Sequence, residues 1–268
     1  MMVRTSKARK DSSTMMLLLL LLGVVCICNA ARVALTMSKY LGSKPVFVAG
    51  GSSGVGLEIV KQLSALGTPV QALVRRPEAV TMLNSFKGVT AMLGDAMDEA
   101  AVQKCMEGCV AAISTLGGKA GSDGKRVDYV GNSNVIEQAG ILGCERIILI
   151  TSIGCGDTKS AISPSVYTVL EEAILAKNKA ERDLRMYTNL DWTIIRPGGL
   201  KSEAGTGKAI LTEDKMAAGV INRIDVASLV IDVLKSENSC TRKELTAIDP
   251  SQPSAYNSGA SVKPYKIL

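Results

Sequence analysis

Short apolar runs alternate with amphipathic stretches along most of the chain. The apolar runs cover residues 46–49, 69–74, 89–93, 110–114, 146–151, 192–195 and 244–248. The stretches predicted to be helical are 57–66, 98–107, 125–142, 166–187 and 225–234. Strands that are apolar throughout are typical of a parallel sheet with helices on both faces. The pattern therefore predicts one doubly wound, mostly parallel α/β domain of the Rossmann type over residues 45–248, followed by a surface tail, 249–268.

The stretch PVFVAGGSSGVG, residues 45–56, joins the first predicted strand to the first predicted helix. Gly50, Gly54 and Gly56 lie in the turn between them. Backbone N–H groups at the start of a helix attract phosphate, and glycine lets the ligand approach the backbone closely. The turn therefore indicates a site for the diphosphate of a dinucleotide, with a purely structural tight turn as the alternative.

Two arginines follow the second predicted strand. Arg75 lies where an NAD-binding protein carries an acidic residue for the ribose 2′-hydroxyl. A guanidinium group suits a 2′-phosphate instead, because it forms two charge-assisted hydrogen bonds. Arg75 and Arg76 therefore favour NADP(H) as the cofactor, and a solvated strand end is the alternative.

Ligands of doubly wound sheets bind at the carboxyl ends of the strands. Here these ends carry small, polar or charged residues. Ser52 and Ser53 are expected to add hydroxyl groups at the 2′-phosphate, and Asp95 either lies beside the adenine or caps the next helix. The residues predicted to bind the cofactor are Gly50, Ser52, Ser53, Gly54, Val55, Gly56, Arg75, Arg76, Asp95, Ser114, Thr115 and Pro197.

The absence of histidine removes whole classes of chemistry. Ser-His-Asp and Cys-His catalysis are excluded, and so are metal sites built on histidine. Cys105 and Cys109 have no second pair of ligands, so no metal site is predicted. The net charge of +6 belongs to residues 1–44, because residues 45–268 carry equal numbers of acidic and basic side chains. A nucleic-acid partner is therefore not expected.

The N-terminal segment has the composition of a targeting sequence. Residues 1–30 have the layout of a secretory signal peptide, with cleavage after Ala30, and an uncleaved membrane anchor is the alternative. Residues 31–44 resemble a transit peptide, so the pair predicts a plastid protein, with the secretory pathway or the extracellular space as the alternative. The odd number and irregular spacing of the remaining cysteines favour a reducing compartment.

Two stretches resemble a known family, the short-chain dehydrogenase/reductases. The spacing of Gly50, Gly54 and Gly56 is similar to the fingerprint of that family. The later stretch KNKAERDLRMYTNLDWTIIRPGGL, residues 177–200, resembles its atypical, NmrA-like members, including plastid proteins related to a dehydrogenase of the chloroplast import complex. The resemblance covers residues 45–248 and implies a Rossmann domain that binds a nicotinamide dinucleotide.

The resemblance also implies candidates for catalysis. Active members use a Tyr-xxx-Lys pair with an upstream serine, and Ser152 matches the serine position. Lys177 matches the lysine that holds the nicotinamide ribose, which leaves Ala173 at the tyrosine position. Taking Tyr167 as the tyrosine instead places Glu171 at the lysine position. Lys177 and Ser152 are therefore the catalytic candidates, and the usual proton donor is missing.

Three functions remain open from the sequence. The first is an NADPH-dependent reductase of a small carbonyl, enone or quinone, with its proton from substrate, water, Ser152 or Tyr167. The second is an NADPH-binding redox sensor, or an assembly or tethering factor, without catalysis. The third is a secreted or endomembrane protein that has a Rossmann core and an unrelated ligand. Residues 197–222 are expected to contact the substrate, and Gly205, Thr206 and Gly207 indicate either a mobile lid or a plain surface loop.

Overall fold

The computed structural model describes residues 38–252, except 119, 122 and 237, together with residues 262–267. The predicted signal peptide, residues 1–30, lies outside the described residues, as do residues 31–37 of the transit-like segment.

The described residues form ten strands and six α-helices. The strands are β1 (Val46–Ala49), β2 (Val70–Val74), β3 (Val89–Leu93), β4 (Ala111–Ser114), β5 (Arg146–Ile150), β6 (Asp191–Pro197), β7 (Gly199–Lys201), β8 (Ile210–Thr212), β9 (Val220–Asn222) and β10 (Lys243–Ile248). The α-helices are α1 (Gly54–Ala65), α2 (Pro77–Asn84), α3 (Glu99–Met106), α4 (Val130–Ile141), α5 (Pro164–Arg185) and α6 (Arg223–Lys235). A short 3₁₀ helix, Gly156–Ala161, follows β5.

Eight strands form one sheet in the order β3-β2-β1-β4-β5-β6-β10-β8. All neighbours in it are parallel except β8, which is antiparallel to β10. The register places Val46 of β1 between Val70 of β2 and Ala111 of β4. The order runs outward in both directions from β1, so the predicted doubly wound Rossmann fold is confirmed, with its switch point between β1 and β4.

Helices cover both faces of this sheet. Side chains alternate along β1, so that Val46 and Val48 enter one core while Phe47 and Ala49 enter the other. The first core is closed by α1, α2 and α6, and the second by α3, α4 and α5. Within the described segments, no helix has both the length and the apolar character needed to cross a membrane.

One α-helix and three strands are absent from the sequence prediction. Helix α2 begins at Pro77, a residue that suits the first turn of a helix, but its eight residues give only two turns of periodicity. The strands β7, β8 and β9 have three residues each, too few for an alternating pattern to be recognised. All three lie in the stretch that the sequence analysis assigned to substrate loops.

The domain begins before the predicted boundary at residue 45. Residues 38–41 belong to the same compact unit as the sheet. Tyr40 is fully buried, its ring centroid lies 5.4 Å from the guanidinium carbon of Arg146, and its hydroxyl donates to the Asp191 carboxylate at 3.4 Å. Ser38 Oγ donates to the carbonyl of Leu234 at 3.0 Å. The last part of the transit-like segment therefore packs beneath the first residues of β5 and β6.

The predicted surface tail also packs against the domain in part. Asp249 and Gln252 are buried directly after β10. Farther along, the Tyr265 N–H donates to the Leu211 carbonyl at 2.7 Å, and Ile267 contacts the first core. The boundary at residue 248 is therefore too early, because the sequence pattern of the tail does not reveal these contacts.

We expect Tyr40→Ala to lower the free energy of unfolding by about 3–5 kcal/mol, because it removes a fully buried aromatic ring. Urea denaturation followed by circular dichroism measures this change. Lys39→Ala is the matched control, since its ion pair with Glu145 is half-exposed and contributes less than about 1 kcal/mol. Equal stability of the two variants would contradict the packing described for residues 38–41.

Candidate functional site

A cleft of about 420 Å³ opens at the carboxyl ends of β1, β2, β4 and β5. It lies at the switch point of the sheet, where doubly wound proteins bind their ligands. Most of the residues predicted from the sequence line it, namely Gly50, Ser52, Ser53, Gly54, Val55, Arg75, Asp95, Thr115, Ser152, Lys177 and Pro197. Three predicted residues do not line it, namely Gly56, Arg76 and Ser114.

The glycine turn forms one wall of the cleft. Gly50 and Gly54 have φ angles of 82° and 56°, which glycine adopts without strain. Gly56 is needed for close packing, since a Cβ there would lie 2.2 Å from the Gly50 carbonyl oxygen. Ser53 precedes α1 but makes no capping bond with its side chain. The start of α1 therefore faces the cleft without an internal cap, which suits a bound phosphate.

The two arginines after β2 occupy different environments. Arg75 lines the cleft and has no carboxylate partner among the described residues. Arg76 is the exposed residue that precedes α2. The pair predicted from the sequence is thus separated, because the chain turns into α2 directly after Arg75.

Ser114 and Asp95 lie in different positions relative to the cleft. Ser114 is fully buried, donates to the side-chain oxygen of Asn132 at 2.6 Å and does not line the cleft, where the sequence analysis expected it to bind the cofactor. Thr115 is the residue that faces the cleft there, with its hydroxyl donating to the Ala49 carbonyl at 3.0 Å. Asp95 lines the cleft, and the cap of the next helix is Asp98, which accepts the N–H of Ala100.

Lys177 projects from α5 into the cleft. Its ammonium group lies 3.1 Å from a carboxylate oxygen of Asp128 and donates to the Leu116 carbonyl at 3.0 Å. Asp128 is buried, and its second oxygen accepts hydrogen bonds from the Gly118 N–H and the Arg126 guanidinium. Asp128 thus fixes both Lys177 and the loop that follows β4, which the sequence analysis did not foresee.

A buried charge network supports the loop after β5. Arg196 of β6 is almost fully buried, and its guanidinium donates to Glu181 at 2.7 Å, to Asp157 at 2.7 Å and to Glu244 at 2.6 Å. Glu181 also accepts the Thr151 hydroxyl at 2.8 Å. Burial acts to lower the pKa of Arg196, but hydrogen bonds to Glu181 and then the charges of the other carboxylates raise the pKa above its ordinary value. In the sequence, this network is marked only by Arg196 as a charged residue directly after the apolar run 192–195.

Ser152 comes directly after Thr151, which belongs to this network, and it lines the cleft. Its hydroxyl donates to the Ile153 carbonyl at 2.9 Å. Tyr167 lies in the first turn of α5, where the ammonium of Lys159 is 4.2 Å from its ring centroid, and it does not line the cleft. Ala173 stands one turn before Lys177, as the resemblance implies. No tyrosine lines the cleft in the part of the chain that the structure describes.

The loop around Thr206 is held in place by two carboxylates. Asp225 accepts the N–H groups of Thr206 and Gly207 at 2.9 and 3.1 Å. Asp249 accepts the Thr206 hydroxyl at 2.5 Å. Burial acts to raise the pKa of Asp249, but hydrogen bonds from Ser251 and Thr206 outweigh it and leave the pKa below its ordinary value. These bonds favour an ordered surface loop rather than a mobile lid.

The described cysteines do not contribute nucleophiles to the site. All five, Cys105, Cys109, Cys144, Cys155 and Cys240, are buried and make no disulfide. Burial raises the pKa of Cys155, which follows β5, to about 12. A thiol with such a pKa is not ionised near neutral pH, so Cys155 is not a nucleophile. Burial gives all five cysteines the role of small core residues.

Comparison with known proteins agrees with this geometry. The model of a family described as NAD(P)H-binding matches residues 50–237. The solved structure of ChuY, an anaerobillin reductase from Escherichia coli O157:H7, is 32% identical with a TM-score of 0.71, and the match covers 79% of this chain and 100% of ChuY.

Two further relatives match about the same share of this chain at about the same identity. The chloroplastic protein At2g34460 of Arabidopsis thaliana is 31% identical, and the match covers 74% of each chain. YhfK of Bacillus subtilis, named as a sugar epimerase, is 32% identical over 74% of this chain and 91% of its own. Both matches span most of the domain described above.

We expect the buried charge network to make stability depend on acid pH. Burial acts to raise the pKa of Glu244, but Arg185 and Arg196 outweigh it and depress the pKa below the ordinary 4.5. The stabilisation from Glu244 is therefore complete above pH 4.5 and is lost as the pH falls through the lower pKa of the folded state. Urea unfolding of wild type and Glu244→Gln, measured at several pH values down to about 3, should show a difference that shrinks in acid.

Glu213→Gln is the control for this measurement. The Glu213 carboxylate pairs with Lys243 at the surface, where both side chains are exposed, so its removal should change stability little at any pH. A difference between wild type and Glu244→Gln that stays constant from neutral to acid pH would contradict the depressed pKa.

Proposed function

The chain belongs to the NAD(P)H-binding family, and on that premise we propose that it is an NADPH-dependent reductase of a small carbonyl, enone or quinone in a plastid. The observation that carries the proposal is the cleft itself. One cavity brings together the glycine turn, a cationic side chain at the end of β2 and Lys177 of α5.

The residues of the cleft suit each part of NADPH. The N–H groups at the start of α1 would hold the diphosphate, and Arg75, with Ser52 and Ser53, would hold the 2′-phosphate. Lys177 would hold the nicotinamide ribose. The cofactor preference rests on Arg75, because no carboxylate follows β2 where an NAD-specific site needs one to bind the ribose 2′-hydroxyl.

The weak proton donors of the cleft favour a conjugated substrate. A bound reduced nicotinamide supplies a hydride to an electrophilic carbon. Lys177 already donates to Leu116 and pairs with Asp128, while the Ser152 hydroxyl donates to a backbone carbonyl. An enone or quinone gives a delocalised anion that water can protonate, whereas an isolated ketone needs a strong donor beside its oxygen. Among the three substrate classes, enones and quinones are therefore preferred.

The relatives support the class of reaction and the compartment. ChuY is named as a reductase, and it matches this chain over its whole length. A plastid location is supported by the chloroplastic relative from Arabidopsis thaliana together with the transit-like composition of residues 31–44.

One observation favours a second function, that of an NADPH-binding redox sensor or an assembly or tethering factor. Ala173 replaces the tyrosine that active members carry one turn before the lysine. A protein that only reports cofactor occupancy needs the glycine turn and Arg75 but no proton donor. Turnover distinguishes this function from that of the reductase.

We expect Arg75→Ala to weaken NADPH binding by about 10- to 100-fold, because a charge-assisted contact with a phosphate is lost. NADH binding should stay unchanged, since NADH lacks the 2′-phosphate. Titration followed by nucleotide fluorescence measures both affinities. Arg76→Ala is the matched control and should behave as wild type, because Arg76 does not line the cleft. Equal affinity of the wild type for NADH and NADPH would contradict the proposed preference.

Turnover on a panel of quinones, enones and aldehydes tests the reductase. We expect NADPH oxidation, followed by its absorbance, that falls at least about tenfold in Lys177→Ala. Lys179→Ala is the matched control on the same helix, since the Lys179 ammonium lies over the ring of Tyr129 outside the cleft. Tight NADPH binding without turnover on the whole panel would favour the sensor and count against the reductase.

A further inference from the structure

Arg223 is a cleft residue that the sequence analysis did not single out. Arg223 is the first residue of α6 and lies beside Gly54, the first residue of α1. Both residues line the cleft. Its Nε atom is 3.6 Å from the position that a Cβ atom would take on Gly54. The guanidinium is therefore placed directly at the start of α1, where the glycine turn ends.

The contacts of Arg223 leave its positive charge without an opposite charge. Nη1 donates to Ser202 Oγ at 2.7 Å and to the Leu200 carbonyl at 3.4 Å. Among the described residues, no carboxylate lies within ion-pair distance of Arg223, and the nearby Asp225 carboxylate is occupied by two backbone N–H groups.

The position is electrostatically unfavourable without an anion. The N-terminus of a helix carries partial positive charge, so a cation at that end is destabilising. Arg223 occupies the N-terminus of its own helix and faces the N-terminus of α1. Asp225 supplies an acidic group in the first turn of α6, whereas the first turn of α1 has none. A bound anion at the glycine turn would therefore compensate the start of α1 and Arg223 together.

We infer that Arg223 is a second anion-binding residue of the cleft and that it binds the diphosphate of the dinucleotide. This inference rests on the proposed placement of the cofactor over the glycine turn. It assigns different roles to the two unpaired arginines of the cleft. Arg75 recognises the 2′-phosphate that only NADP(H) carries, whereas Arg223 recognises the diphosphate that NADH and NADPH share.

The same guanidinium connects the cofactor side of the cleft to its substrate side. Leu200 belongs to β7 and lines the cleft, and Ser202 follows that strand directly. β7 pairs in parallel with β9, which leads straight into Arg223. A diphosphate bound to Arg223 would therefore restrain residues 199–202 through these two hydrogen bonds.

Binding measurements on Arg223→Gln and Arg223→Lys test the assignment. We expect Arg223→Gln to weaken NADPH and NADH by the same factor, about 10- to 100-fold, and Arg223→Lys to lie between it and wild type. Gln62→Ala is the matched control, because Gln62 bonds to Ile224 and Ser228 of the same helix but lies outside the cleft. Circular dichroism and urea midpoints establish that each variant is folded.

Hydrogen exchange of residues 199–202 provides a readout that does not depend on turnover. Saturating NADPH should slow exchange there in wild type and in Gln62→Ala, but not in Arg223→Gln. Unchanged affinity of Arg223→Gln for both nucleotides would overturn the inference and leave the proposed function intact. Loss of NADPH affinity alone would also overturn it, since Arg223 would then face the 2′-phosphate. Failure of wild type to bind either nucleotide would overturn the proposed function itself.

Discussion

The close approach of α1 to the end of β1 determines the geometry of the whole cleft. A Cβ on Gly56 would lie 2.2 Å from the Gly50 carbonyl oxygen, and one on Gly50 would lie 2.6 Å from the Thr115 hydroxyl. Only glycine permits both contacts. They bring the positive end of a helix to the switch point of the sheet, and the other cleft residues, from Arg75 to Lys177, are arranged around that end.

Buried charges then fix the side chains that chemistry would need. Asp128 holds Lys177, and the Arg196 network holds the loop that carries Ser152. Charges withdrawn from water are stable only when hydrogen bonds satisfy them, which restricts each group to one geometry. The cleft therefore combines a floor that ion pairs hold in place with a wall around Leu200, which two hydrogen bonds connect to Arg223 beside the glycine turn.

The sequence predicts well whatever depends on short-range pattern. The doubly wound sheet, the glycine turn and Arg75 follow from apolar runs and from motif spacing, whereas Lys177 follows from the resemblance to the short-chain dehydrogenase/reductases. The structure places these residues in one fold and one cleft. Residues that depend on distant partners are missed. Arg223 and Gly54 are far apart in the chain, and Ser114 turns to Asn132 because side chains alternate along β4. Tyr40 is missed because the basic residues around it in the sequence resemble a targeting peptide rather than a segment of the core.

The burial of Tyr40 limits how the chain can be matured. Any peptidase that removes a leader has to cleave before Ser38, because a later cut would strip the aromatic ring from beneath β5 and β6. The signal peptide that the sequence analysis expects would end at Ala30, before this limit. A cut that removed Tyr40 would leave a gap in the hydrophobic core at the start of β5 and β6, and the shortened domain would fold poorly.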